Sequence, residues 1–216
     1  MKAVEVNHLT FGFHQPLFRD FHFTVDQGEC VAITGPSGSG KSTLAWILAG
    51  IIPRAMDFHY EGEVKILGRD IRAYSLAVAA RTIGLVFQNP DAQLFSPSVF
   101  DEIAFGPENL CLPRKEILAV IDRSLEQVGL AEYKNAEIET LSGGQKQLVA
   151  LASVLACDPK ILLFDEVFSF LDEDATRQVQ QVIRDLADRE RTVLFIDHNR
   201  EHLALADRLI EIGGAL

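Results

Sequence analysis

Between an apolar run, Cys30–Thr34, and a helix-forming segment, Ser42–Leu48, stands Gly35-Pro36-Ser37-Gly38-Ser39-Gly40-Lys41-Ser42. It fits G-x-x-x-x-G-K-[ST] at every fixed position. Glycines and a proline this close together forbid regular structure, so the chain must run strand, loop, helix. The short apolar run is the pattern of a strand buried on both faces. The loop carries its own chemistry. Its glycines permit positive φ and turn backbone N–H groups inward, where they and the positive end of the helix hold phosphate oxygens. Lys41 adds a point charge for the β- and γ-phosphates and Ser42 offers a hydroxyl to Mg²⁺; the phosphate-binding loop is taken as Gly35–Thr43.

The rest of the chain fits that beginning. Ala3–Phe13 and Leu17–Val25 read as strands before the turn signal Gln27-Gly28-Glu29. Gly50 and Pro53 are expected to close the first helix. A strand at Ile83–Phe87 ends at Gln88-Asn89-Pro90. From Asn89 to Leu148 the pattern changes: Pro90, Pro97, Pro107 and Pro113 precede a helix at Arg114–Val128, and the region reads as a helical insertion. Beyond it come helix Ser142–Cys157, strand Ile161–Phe164, helix Asp174–Asp188, strand Thr192–Ile196, helix His202–Ala206 and strand Leu209–Ile212. Strands alternating with helices predict a largely parallel sheet covered on both faces.

Lysine and arginine number 20 and aspartate and glutamate 31, a net charge of −11, which disfavours nucleic acid as a partner. Cys30, Cys111 and Cys157 are far apart and read as reduced thiols, Cys30 and Cys157 being expected buried. The N-terminus lacks the order of a signal peptide, and the most apolar run, Leu148–Cys157, is about half of the ~20 residues a spanning helix needs. Action on a membrane would therefore require a partner.

Two further motifs carry chemistry. Ile161-Leu162-Leu163-Phe164-Asp165-Glu166 is an apolar strand ending in two acids: Asp165 suits Mg²⁺, and Glu166 suits the orientation or deprotonation of a water. Leu141-Ser142-Gly143-Gly144-Gln145 opens a helix with a good N-cap and two glycines, which cost ~1 kcal/mol each in a helix and suggest close approach by something. Either this is an ordinary helix cap, or the chain has two phosphate-seeking helix starts with one phosphate-loop lysine, economically resolved by a nucleotide lying between two chains.

These three motifs, in this order, resemble the ATPase subunit of ABC transporters over essentially the whole chain. The resemblance implies an α/β P-loop NTPase core of RecA-like type with a mainly parallel sheet, an N-terminal antiparallel β subdomain and an inserted helical signature subdomain. It makes residues 1–216 a single ABC ATPase domain, with 1–88 and 149–216 as core and 89–148 helical. Gln88 matches the Q-loop, contacting Mg²⁺ or the attacking water. Ser169–Asp172 matches the D-loop, with Asp172 crossing a dimer interface, and His198 matches the switch histidine at the γ-phosphate. His198 and His202 are four apart, but with no third ligand a metal site is not expected. An aromatic stacks on adenine in this family; Phe13 lies at its place and Phe11 competes. Val167 and Phe168 depart from the Pro and Thr that commonly follow the catalytic Glu, which should alter packing near the D-loop.

The segments Asn89–Phe95 and Phe105–Asn109 resemble the energy-coupling-factor and cobalt-importer ATPases, which power uptake of vitamins or of cobalt and nickel ions. That resemblance implies ATP and Mg²⁺, a transmembrane coupling subunit, a separate substrate-binding membrane protein, a second ABC ATPase (a copy or a paralogue) and a place on the cytoplasmic face of the membrane. Leu94, Phe95, Val99, Phe100 and Phe105 are candidates both for the insertion's core and for a groove taking a partner's helix. Many relatives continue into a C-terminal extension; a chain stopping at Leu216, just after Ile212-Gly213-Gly214, is expected to dimerise mainly through ATP and membrane partners. The competing readings are another ABC transporter branch, a soluble ABC ATPase acting on ribosomes or DNA, and a nucleotide-dependent interaction module without turnover. Intact Glu166 and His198 argue against the last of these.

Overall fold

The computed structural model describes residues 1–13, 16–56, 58–169 and 171–213. Phe170, inside the expected D-loop, and Gly214–Leu216 lie outside the described residues. The chain opens with two strands, β1 (Lys2–Gly12) and β2 (Pro16–Asp26), paired antiparallel. Then come β3 (Cys30–Thr34), α1 (Lys41–Leu48) and a four-residue helix, α2 (Ile51–Arg54). Gly50, at φ 72, ends α1 as expected, but Pro53 does not close the segment: it sits within α2. The following stretch, from which the sequence yielded no element, forms β4 (Glu61–Ile66), β5 (Arg69–Asp70) and α3 (Leu76–Thr82). β4 adds to the free side of β1 and β5 to β4, completing an antiparallel sheet of order β2-β1-β4-β5.

Next come β6 (Ile83–Val86), then α4 (Val99–Asn109), α5 (Arg114–Gln127) and α6 (Gly143–Ala156). The tail alternates β7 (Ile161–Asp165), α7 (Glu173–Asp188), β8 (Thr192–Ile196), α8 (Arg200–Leu203) and β9 (Arg208–Glu211). β3, β6, β7, β8 and β9 form a second sheet of order β6-β7-β8-β3-β9, every neighbouring pair parallel. The parallel sheet is thus the one the residues predicted, and the N-terminal antiparallel sheet the one the family resemblance implied. α6 is unbroken across positions 148 and 149, so one rigid backbone joins the insertion to the sheet.

The strand period of two sorts the cores. On one face of the parallel sheet Leu162, Phe164, Val193 and Phe195 pack with residues of α4, α5, α6 and α7. On the other, Ile161, Leu163, Leu194 and Ile196 pack with α1 and the buried side of β1. β7 and β8 are buried along their whole length, as strands covered on both faces must be. α7 buries Val179, Val182, Ile183 and Leu186, a helical stripe facing that core. All three cysteines are free; Cys30 is buried, and burial pushes its thiol up to about 12. Cys157 is half-buried rather than buried, because its sulfur lies where the bare backbone of Gly106 leaves room at the foot of an open groove. Among the described residues no helix is long and apolar enough to cross a membrane.

Candidate functional site

Four connections leave the C-terminal edge of the parallel sheet side by side, the place where open α/β sheets build their crevice. In strand order they carry Gln88 after β6, Glu166 after β7, His198 after β8, and residues 35–40 after β3. In the last of these, Gly38 and Gly40 hold φ 78 and 96. At Gly40 a side chain would sit 2.9 Å from the Phe18 ring, and at Gly35 it would run into the carbonyl oxygen of Ile212. Only glycine therefore lets this loop pass between β9 and β2 and present its N–H groups to the crevice. Lys41 opens α1 and is 7% exposed. Its ammonium donates to the carbonyl oxygens of Gly35 and Pro36 at 3.0 Å each, clasping the loop from inside. The Ser39 hydroxyl is buried without a hydrogen-bond partner among the described residues. The anion cradle is therefore the loop backbone, the Lys41 ammonium and the start of α1, with Ser39 turned toward Gly35 and Gly213.

The acids face that cradle. Asp165 ends β7 at 5% exposure, and Ser42 Oγ donates to its Oδ1 at 3.0 Å. Burial pushes the Asp165 carboxyl above the usual aspartate range; the Ser42 bond and Lys41 oppose that, while the charge of Glu166 adds to it. Two hard oxygens converging beside a phosphate cradle fit Mg²⁺, which takes few protein ligands and completes its shell with phosphate and water. Glu166 follows in a left-handed backbone, φ 47, with its N–H donating to Ile196 O at 3.1 Å. Such strain persists only where the surroundings over-determine it, and here it swings the carboxylate from the sheet into the crevice. Gln88 Nε2 donates to Glu166 Oε2 at 2.9 Å, and Lys41 Nζ lies 3.9 Å from Oε1.

These groups share one cavity of about 500 Å³, lined by Phe13, Leu17, Ser37, Gly38, Gly40, Lys41, Ser42, Thr43, Gln88 and Glu166. Phe13, 46% exposed, faces it, whereas Phe11 is buried at 3%. Phe58, which the sequence did not single out, meets the Phe13 ring edge-on at 4.9 Å, and Phe11 does so at 5.1 Å. The Phe13 ring is therefore held rather than free.

Gly35, Ser39 and Asp165 stand behind this lining, and Ser142, Gly143, Gly144, Gln145, Asp172 and His198 do not line the cavity. Ser142 and Gln145 form a reciprocal capping box at the start of α6. The two glycines separate in role. A side chain on Gly144 would come 3.1 Å from Ala175 Cβ of α7, so its bareness serves the chain's own packing, whereas Gly143 faces open space. Asp172 caps α7, accepting from Ala175 N–H at 2.8 Å. His198 is exposed. Gln147, also not foreseen, donates to Phe87 O at 2.9 Å, and Gln93 accepts from Phe87 N–H at 2.9 Å. The backbone before Gln88 is thus moored to α6.

Residues 18–169 match the family model described as ABC transporter. The chain is 42% identical over 196 residues to the energy-coupling factor transporter ATP-binding protein EcfA of Methanosarcina acetivorans, covering 90% of this chain and 70% of that one. To EcfA1 of Fusobacterium nucleatum it is 39% identical over 209 residues, covering 96% and 77%. It spans only 32% and 38% of the length of two longer relatives described as ABC transporter ATP-binding proteins. Among solved structures it is similar to cbiO1 from Clostridium perfringens, described as part of the ABC transporter complex cbiONQ. That match has a TM-score of 0.85 at 29% identity, covering 98% of this chain and 84% of that one.

Proposed function

The chain belongs to the ABC transporter family of ATP-binding proteins, and from that premise we propose that it hydrolyses ATP to drive a membrane importer of the energy-coupling-factor type. The observation that carries the reading is the single cavity shared by Lys41, Ser42, Gln88 and Glu166, with Asp165 bonded to Ser42 behind it. Adenine stacks on Phe13. The triphosphate lies along Gly35, Ser37, Gly38, Ser39, Gly40, Lys41, Ser42 and Thr43. Ser42, Asp165 and Gln88 would hold Mg²⁺, which when bound would neutralise charge on the phosphate oxygens.

Glu166 takes a proton from the water that attacks the γ-phosphate in line. The Gln88 bond occupies Oε2, and Oε1, 3.9 Å from the Lys41 ammonium, is the oxygen that meets that water. Lys41 and His198 stabilise the charge that develops. Ser142, Gly143, Gly144, Gln145 and Asp172 serve the nucleotide of a second cassette, a copy of this chain or a paralogue, and the open face of Gly143 suits that role. Loss of the bridging γ-phosphate lets the pair part and moves α4, α5 and α6 with the membrane subunit.

That subunit docks where Phe95 and Phe105, 64% and 49% exposed, meet edge to face at 4.6 Å above Leu85, Val154 and Cys157. Val99 packs the insertion's core and Leu94 and Phe100 lean on it, so the sequence's candidates divide between core and groove. The solute is a vitamin or a cobalt or nickel ion, selected by a separate membrane protein. The cassette itself is peripheral on the cytoplasmic face, and no nucleic acid is bound. Affinity isolation from native membranes tests the reading. A transmembrane subunit and a membrane solute-binding protein are expected with the chain; ribosomes or DNA in their place would overturn it.

A further inference from the structure

β8 ends at Ile196, and the next residue, Asp197, is 4% exposed. Its N–H donates to Ile33 O at 3.2 Å, so its backbone still belongs to the sheet. Its side chain then shapes the turn beyond the strand. Oδ1 accepts from the N–H of His198 at 2.6 Å and of Asn199 at 2.7 Å, folding the backbone sharply under His198. Oδ2 lies 2.8 Å from Nδ1 of His202, which is 9% exposed on α8. A carboxylate that already accepts two backbone N–H groups is an acceptor throughout, so Nδ1 of His202 carries the proton. The His202 ring lies against Phe168, with centroids 4.1 Å apart and planes at 30°. Phe168 is 7% exposed and stands two residues after Glu166, in the turn closed by Ser169 N–H on Glu166 O at 3.1 Å.

A continuous path of contacts therefore joins the turn behind Glu166 to the turn under His198. Neither end explains the buried imidazole by itself. Filling that space needs only an apolar side chain, and a buried polar group is retained at a cost unless each partner is satisfied. His202 satisfies Asp197 and packs on Phe168 at once. The two histidines four apart have one exposed member, His198, and one buried member, His202, bonded to the carboxylate that sets the first one's backbone.

We infer that His202 is a positioning residue for hydrolysis: through Asp197 it fixes the backbone that aims His198, and through Phe168 it locks that setting to the turn carrying Glu166. This rests on the reading of His198 as the group that meets the γ-phosphate. The role is transmitted, since His202 does not line the nucleotide cavity. Loss of His202 leaves Lys41, the loop glycines and Phe13 in place, so nucleotide affinity stays while turnover falls.

The test is steady-state phosphate release by the purified full chain with variants at positions 198, 202 and 168. His202→Ala is expected to lower kcat about tenfold with KM for ATP within about twofold. His202→Asn places an amide N–H near the Nδ1 position and is expected to restore kcat to within about threefold of the parent. In a His198→Ala background, adding His202→Ala is expected to change kcat less than about twofold, because the two act as one unit. A general packing role would instead lower kcat again in that background and would not be rescued by Asn. Either result, or a parental kcat for His202→Ala, overturns the inference while leaving the proposed function standing. Parental turnover by His198→Ala itself would overturn the reading of His198 and the inference with it. Should His202→Ala not fold, His202→Asn and Phe168→Leu, both conservative in volume, carry the test. Phe168→Leu is then expected to lower kcat about threefold in the parent and to change nothing in the His198→Ala background.

Discussion

Replacing Lys41 by Met removes one charge and keeps the apolar stem. In the nucleotide-free chain the consequence is small. The ammonium is 7% exposed, and its two bonds to Gly35 O and Pro36 O offset the cost of burying it. Gly35 is half-buried and Pro36 exposed, so water can replace the lost donor and the expected change in Tm is within a few degrees. Binding is different. A unit charge about 4 Å from a phosphate oxygen, at an effective dielectric near 20, is worth about 4 kcal/mol. Release of the ammonium from its two carbonyls opposes part of that, at about 1 kcal/mol net per bond. A loss of about 2 kcal/mol, a factor of about 30 in Kd for ATP, remains. Calorimetric titration of Mg²⁺–ATP is the assay, in a Glu166→Gln background so that no turnover intervenes. Quenching of Trp46, the sole tryptophan and five residues along the same helix, provides an independent signal. An affinity within threefold of the parent in a folded Lys41→Met protein would refute the argument that this ammonium faces the phosphates.

Glu166→Gln is expected to bind ATP normally and to lose turnover by about 10²–10⁴, the range for a missing general base; hydrolysis at the parental rate would remove Glu166 from that role. Because the Asp165 pKa is raised, chiefly by burial, its ionised form opposes folding of the nucleotide-free chain. The associated stability is full below the usual aspartate value and is lost as pH rises through the raised one. Asp165→Asn should therefore raise Tm without nucleotide at neutral pH, with the gain fading in acid, and should abolish Mg²⁺-dependent turnover. A Tm difference that does not depend on pH would contradict this. Phe13→Ala is expected to raise KM for ATP about fivefold to tenfold, the worth of one ring stack, with kcat little changed, whereas Phe13→Tyr should be silent. Phe95→Asp should leave solution hydrolysis intact and abolish isolation with the membrane subunit; undiminished capture would move the docking surface elsewhere.

What could be read from the chain itself was whatever is local. Gly35–Ser42, Ile161–Glu166 and Leu141–Gln145 announce strand, loop and helix by their own periodicity, capping and glycine content, so the core strands lie almost where the sequence put them. Glu61–Ile66 was not legible, because its strand is made by the edge of β1 beside it rather than by an apolar run of its own. That Phe11 is buried while Phe13, just past the end of β1, lies open to the cavity is a matter of packing against the antiparallel sheet, which the sequence did not show. The purpose of Gly144 depended on Ala175, 31 positions away, and the fate of His202 on Asp197 and Phe168. Residue type and spacing determine which chemistry the chain is equipped for, since propensity and motif act over a few residues. Which groups share a cavity, which carboxylate is buried enough to have its pKa raised and which histidine is held by a carboxylate were decided by the sheet order β6-β7-β8-β3. That order brings together ends separated by more than a hundred residues, and only packing of the whole chain fixes it.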